Sequence, residues 1–212
     1  MKPTIKALTT WLIGLALALP AMAAPLTILQ EEVFKGHKLI EDWRIGEAQS
    51  FTENLLKKHP ESGDVYFLKA RVEFLKGNYQ YALKILNQVE DNHSEVRKFK
   101  KLVYNTYKST KSFTTKESNH FIYRFQQGAD EILVHYATEV LEKSYAVLGK
   151  LLNHYPKEKV LVEFYPNRDS FSKISPLTLK DITTSGTVAL CKYNRIMMIS
   201  PGSLVRGYNW MD

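Results

Sequence analysis

An echo at 34 residues constrains the fold of this chain more than any other feature. Within residues 70–89, Ala70, Gly77, Tyr79 and Ala82 are followed by Leu86 and Val89. Shifted back 34 positions, Ala82 falls on Ala48, Val89 on Leu55 and Tyr79 on Ile45. Small residues at 70 and 82 let two antiparallel helices approach closely, and Gly77-Asn78 supplies the turn between them. Pro60 closes the earlier copy, and Trp43 stands where that copy wants its turn glycine. A unit of this kind buries its apolar face only against a neighbour. Residues 29 to about 93 therefore predict two stacked helical hairpins. Phe99, Leu102, Val103, Thr106 and Tyr107 recur at helical spacing, so a helix over 94–112 is expected to cover the open end.

The 34-residue period resembles the tetratricopeptide repeat. By that resemblance Asp64, Phe67, Arg71 and Phe74, on the first helix of the second copy, would line a concave peptide-binding groove. A plainer alternative is that Phe67 and Phe74 pack against the next helix or the following domain. Two copies make a shallow groove.

Beyond a loop expected at Ser109–Ser118 the period changes. Phe121, Tyr123 and Phe125 alternate with Ile122 and Arg124 as in a strand. Leu133, Tyr136, Ala137, Val140, Leu141, Leu148, Leu151 and Leu152 then keep a 3.6-residue stripe, which predicts a long amphipathic helix over 130–153. Val160–Tyr165 reads as a buried strand stopped by Pro166, and a short helix is expected around 169–173. The runs Gly186–Cys191 and Arg195–Ile199, joined by Lys192-Tyr193-Asn194, read as a hairpin. The fold class is α+β: helical hairpins over 26–112, then a small sheet covered by a long helix over 118–212.

Residues 119–212 carry a second resemblance. Phe121-x-Tyr-x-Phe, Val162-Glu163-x-Tyr165-Pro166, Phe171, Thr184-x-Gly186-x-Val188, Ile196-Met197-Met198-x-Ser200-Pro201 and Tyr208-x-Trp210 look like the opening of a peptidase-MA-like (gluzincin) zinc metallopeptidase domain. In that family the Trp-containing segment leads into a helix bearing His-Glu-x-x-His, which holds zinc and supplies the general base. No His-Glu-x-x-His occurs among these 212 residues. The resemblance therefore implies a C-terminally incomplete domain, with the first zinc ligand expected a few residues beyond Asp212. It implies no catalytic or metal residue and no cofactor in the chain itself, which should be inactive. Zinc is expected only with the missing part. What transfers is an edge strand that pairs with extended substrate, and Thr187, Val188 and Ala189 are its candidate contacts, an ordinary edge hairpin being the alternative.

The remaining chemistry is sparse. The six histidines (37, 59, 93, 120, 135 and 154) have no pair at three-, four- or five-residue spacing. Glu163 follows strand alternation and is expected to face solvent or a salt partner. Ser170-x-x-Lys173 matches a nucleophile motif whose Ser-Asp-Asn and Lys-Thr-Gly companions are absent. Cys191, the single cysteine, cannot close an internal disulfide and is expected to be a buried structural thiol.

Lys2 and Lys6, the nine apolar residues Trp11–Leu19 and Ala21-Met22-Ala23 read as a secretory signal over 1–24. Nine residues fall short of the roughly 20 a membrane span needs, so no stable anchor is expected after cleavage, and the location is periplasmic or extracellular. Losing Lys2 and Lys6 lowers the formal charge from +7 to +5. Much of the excess lies in Arg97, Lys98, Lys100, Lys101, Lys108, Lys111 and Lys116, in a window without Asp or Glu. That run reads as the wet side of a helix and not as a nucleic-acid site. Two functions are consistent with these features. One is the N-terminal part of an exported zinc metallopeptidase. The other is a non-enzymatic exported repeat protein that binds a peptide or protein partner.

Overall fold

The computed structural model describes residues 27–90, 93–128 and 130–201. The secretory signal expected over residues 1–24 and the motif residues expected from Gly207 to Asp212 lie outside the described residues.

Two helical hairpins open the fold. Helix α1 (Ile28–Glu41) starts at a reciprocal cap, in which Thr27 Oγ1 accepts from the Gln30 amide and Gln30 Oε1 from the Thr27 amide. It is followed by α2 (Ile45–Lys58), α3 (Gly63–Leu75) and α4 (Tyr79–Leu86). The sequence period has a backbone counterpart: Trp43 and Gly77, 34 residues apart, both turn through the left-handed region, at φ 59° and 80°. Trp43 bears the strain of that conformation in the first copy. At Gly77 a Cβ would come within 2.9 Å of Leu161 Cδ2, so glycine is required by conformation and by the nearness of the sheet. Ala48, Ala70 and Ala82 are completely buried between the helices. Helix α5 (Ser94–Thr110) closes the stack, with Val96, Val103 and Thr106 inward.

The loop expected at Ser109–Ser118 is a strand instead. Strand β1 (Phe113–Glu117) begins three residues after α5 and pairs antiparallel with β2 (Phe121–Gln126). Its Thr-Thr centre has β propensity but little apolar alternation, so periodicity does not reveal it. Next come α6 (Glu131–Leu152), β3 (Val160–Tyr165), α7 (Arg168–Ile174), α8 (Leu179–Ser185), β4 (Ala189–Lys192) and β5 (Arg195–Ile199). The five-stranded sheet runs β1-β2-β3-β5-β4, parallel in its centre and antiparallel at both edges. The strand expected from Gly186 is shorter because α8 extends to Ser185 and Gly186, at φ 69°, terminates it.

The fold is α+β, and the sheet is covered on both faces. On one face Phe121, Tyr123, Phe125, Val162 and Phe164 meet Val134 and Ala137 of α6. A clasp fixes that helix, in which Glu142 accepts from Ser118 Oγ at 2.6 Å and from the His120 amide and Nδ1 at 2.9 and 2.6 Å. Burial raises the Glu142 pKa, but these hydrogen bonds outweigh it and bring it to about 2. The expected inward stripe of α6 needs correction: Tyr136, Val140, Leu148, Leu151 and Leu152 are exposed. The helix is apolar on more than one side, and only the side bearing Val134 and Ala137 meets the sheet.

On the other face Leu161 joins the core of the helical hairpins, and Ile122 and Tyr193 pack against that core. Phe171 and Ile174 of α7 and Ile182 of α8 cover Tyr165, Met197 and Ile199. The β4–β5 turn has Tyr193 and Asn194 at φ 57° and 58°, the pairing a tight two-residue hairpin needs. Asn194 Nδ2 donates to the Leu75 carbonyl at 3.2 Å, which ties the hairpin to the end of α3.

A shared core predicts shared stability. Residues 26–112 expressed alone should melt well below the full chain, whose own melt should be a single transition by circular dichroism. An isolated helical segment as stable as the whole would show that the sheet contributes nothing to the hairpins.

Candidate protein-binding face and the buried junction

The first helices of the repeats, α1 and α3, pack together, and α3 meets α5 through Phe67 and Phe99, so the three in a row offer one composite face. His37 on α1 and Arg71 on α3, again 34 residues apart, meet at 2.6 Å between Nδ1 and NH1. Arg71 can only donate, so Nδ1 accepts and the imidazole is neutral. Burial, and then the Arg71 charge, lower the His37 pKa to about 4. The Phe67 ring lies edge-on to His37 at 6.0 Å and to Phe99 of α5 at 5.6 Å. Phe34, one helical turn before His37, is 64% exposed.

The structure separates the four residues expected to line a groove. Asp64 is exposed, and Phe67 and Arg71 are half-buried on the composite face. Phe74 is not a groove residue. It is 1% exposed, with its ring 5.3 Å from Phe99, 5.4 Å from Tyr79 and 5.5 Å from Tyr193. It thus packs against both the next helix and the following domain. The sequence reading missed His37, although its 34-residue offset from Arg71 was visible.

Behind this face lies a polar cluster built by α4, β3 and β5. Glu163 is fully buried, which corrects the solvent-facing alternative. It points at the repeats because β3 has helices on both sides. Tyr79 Oη donates to Glu163 Oε1 at 2.7 Å, and Tyr165 Oη donates to Oε2. Arg195 Nε lies 3.0 Å from Oε2. None of the three Arg195 nitrogens makes an aligned hydrogen bond, so the contact is an ion pair without a directed N–H. The guanidinium sits among Phe74, Tyr79 and Tyr193, 4.9, 5.0 and 5.5 Å from their ring centres. Burial, and next the Glu163 charge, push the Tyr79 and Tyr165 hydroxyls well above the ordinary tyrosine range, so both remain donors.

The other expected sites are dispersed. Ala189 begins β4, but Thr187 and Val188 precede the strand. Thr187 Oγ1 lies 2.6 Å from Ser185 Oγ, and the Val188 carbonyl already accepts from Ile199. Cys191 is exposed and not buried as expected, because among the described residues β4 is the sheet edge and pairs only with β5. Lys173 pairs with Asp169 on α7. Among the described residues no three His, Cys, Asp or Glu side chains form a metal-binding group. Among them, too, no helix is long and apolar enough to cross a membrane.

Two outcomes are expected. Glu163→Ala strands Arg195 in the interior and should cost about 3–5 kcal/mol in chemical denaturation, as when one partner of a buried ion pair is removed. A loss below 1 kcal/mol would contradict the assigned role of the cluster. His37 concerns pH. Its folded pKa lies below the unfolded value near 6.5, so the unfolded chain takes up the proton first. Stability present above pH 6.5 is lost as pH falls toward 4, by about 2 kcal/mol after allowance for partial exposure. His37→Gln, which keeps an acceptor for Arg71, should flatten that part of the stability–pH curve, and an unchanged slope would contradict the assignment.

Comparison with known proteins agrees with the helical architecture. No curated protein and no solved structure matches the chain. The Iml2/Tetratricopeptide repeat protein 39 family model matches residues 19–158, which takes in the hairpins, α5, β1, β2 and α6. That is well over half of the 212 residues, and the chain belongs to the Iml2/Tetratricopeptide repeat protein 39 family.

Proposed function

We propose that this chain is a protein-binding module that holds a segment of a partner against the face made by α1, α3 and α5. The observation that carries the reading is the placement of exposed Asp64 and Phe34 around half-buried Phe67 and Arg71, in a chain of tetratricopeptide-like family. Phe34 and Phe67 offer apolar contact, and Arg71 offers a planar set of donors backed by His37. Export, supported by the signal read in residues 1–24, belongs to the same proposal.

A second reading treats residues 118–212 as the scaffold of a zinc-metallopeptidase-like domain. One observation favours it: β4 is an exposed antiparallel edge, the geometry that strand addition needs. Protection of the β4 amides from hydrogen exchange by an added extended peptide is its test. Unprotected amides at a saturating peptide concentration would remove that support.

The binding-module reading is tested by selecting a displayed random-peptide library on the folded chain. Selected peptides should bind with micromolar Kd, and Asp64→Ala with Arg71→Ala should weaken them at least tenfold, about 1.4 kcal/mol. Circular dichroism should show the variant folded. Peptides indifferent to the double substitution would place recognition away from this face and contradict the proposal.

A further inference from the structure

A cleft of about 770 Å³ opens between α4, the end of α5, β1 and β2. Its charged lining residues are Lys84, Lys111 and Arg124, all basic, with Tyr81, Tyr107 and Phe113 forming much of the rest. Tyr81 is 44% exposed, and Lys84 and Lys111 are exposed.

The wall of this cleft carries an unbalanced charge. Arg124 NH1 donates to the Gly77 carbonyl at 2.8 Å and lies 3.7 Å from Glu163 Oε1. The same carboxylate serves Arg195, whose side chain is fully buried. Among the described residues Glu163 is the one carboxylate within 4 Å of either guanidinium. Two cations thus share one anion, and the guanidinium that keeps a quarter of its surface accessible is that of Arg124. A partly desolvated cation without its own counter-charge is costly, and an incoming carboxylate that pairs with its planar fork removes that cost.

We propose that this cleft binds an acidic peptide segment of a partner protein, with one carboxylate on Arg124 and others on Lys84 and Lys111. The cleft is far larger than a single oxyanion, and the rings of Tyr81, Tyr107 and Phe113 offer apolar contact to side chains flanking the charge. The site does not depend on the α1, α3 and α5 face, since it lies across α4 and the β1 edge.

The test is fluorescence polarisation on the full chain at physiological salt, with a labelled (Glu-Glu-Tyr)4 peptide as probe. Lys84→Glu with Lys111→Glu, both at exposed positions, should preserve the circular dichroism spectrum and weaken binding at least tenfold. Lys98→Glu with Lys101→Glu, an equal charge reversal on α5 outside the cleft, should leave binding within twofold. Asp64→Ala with Arg71→Ala should also leave it unchanged, which separates this site from the repeat face. Equal loss in the two lysine variants would reduce the effect to net charge and overturn the proposal. So would equal affinity for (Lys-Lys-Tyr)4, or tight binding of inorganic phosphate with none of the acidic peptide.

Discussion

A single carboxylate holds the halves of this molecule together. Glu163 sits at the centre of the sheet, takes hydrogen bonds from Tyr79 of the second repeat and Tyr165 of its own strand, and neutralises Arg195 from the neighbouring strand. Burying these groups is favourable only while they remain together, because any one left behind is an uncompensated polar group in the interior. The aromatic rings around Arg195 come from α3, α4 and the β4–β5 turn. The cluster therefore fixes how the hairpins are seated on the sheet, and with that the position of everything the hairpins display.

This seating explains how two repeats suffice. A solenoid of two hairpins leaves an apolar end on each side. Here α5 closes one, and the sheet adds Leu161, Ile122 and Tyr193 to the hairpin core beside the α3–α4 turn. Gly77 lets the second hairpin turn approach Leu161 and Arg124, and the same close approach places Arg124 at the wall of the cationic cleft. Packing and candidate recognition chemistry share residues at this seam.

Local signals were legible in the sequence, and relations between distant segments were not. The 34-residue shift located four helices, and it survives in space as the Trp43–Gly77 backbone pair and the His37–Arg71 contact. Strand alternation located β2, and short apolar runs located β3, β5 and, with a later start than expected, β4. Strand β1 escaped because its edge position demands little apolar pattern. Cys191 was misplaced because an apolar run does not reveal whether its strand is central or at an edge. Glu163 and Phe74 were ambiguous for one shared reason: each sits where the helical half meets the sheet, and that encounter has no local signature. The inward face of α6 was blurred by the helix's second apolar side, Ile132, Tyr136, Val140, Val147 and Leu151.

The most direct test of this account is native-state hydrogen exchange across the junction. The buried amides of α3 and α4 and those of β3 and β5 should share one opening free energy, equal to that of global unfolding, because the Glu163 cluster makes them a single cooperative unit. Repeat amides that open at distinctly lower free energy while the sheet stays protected would show two independent units, and would contradict the central role given to that carboxylate.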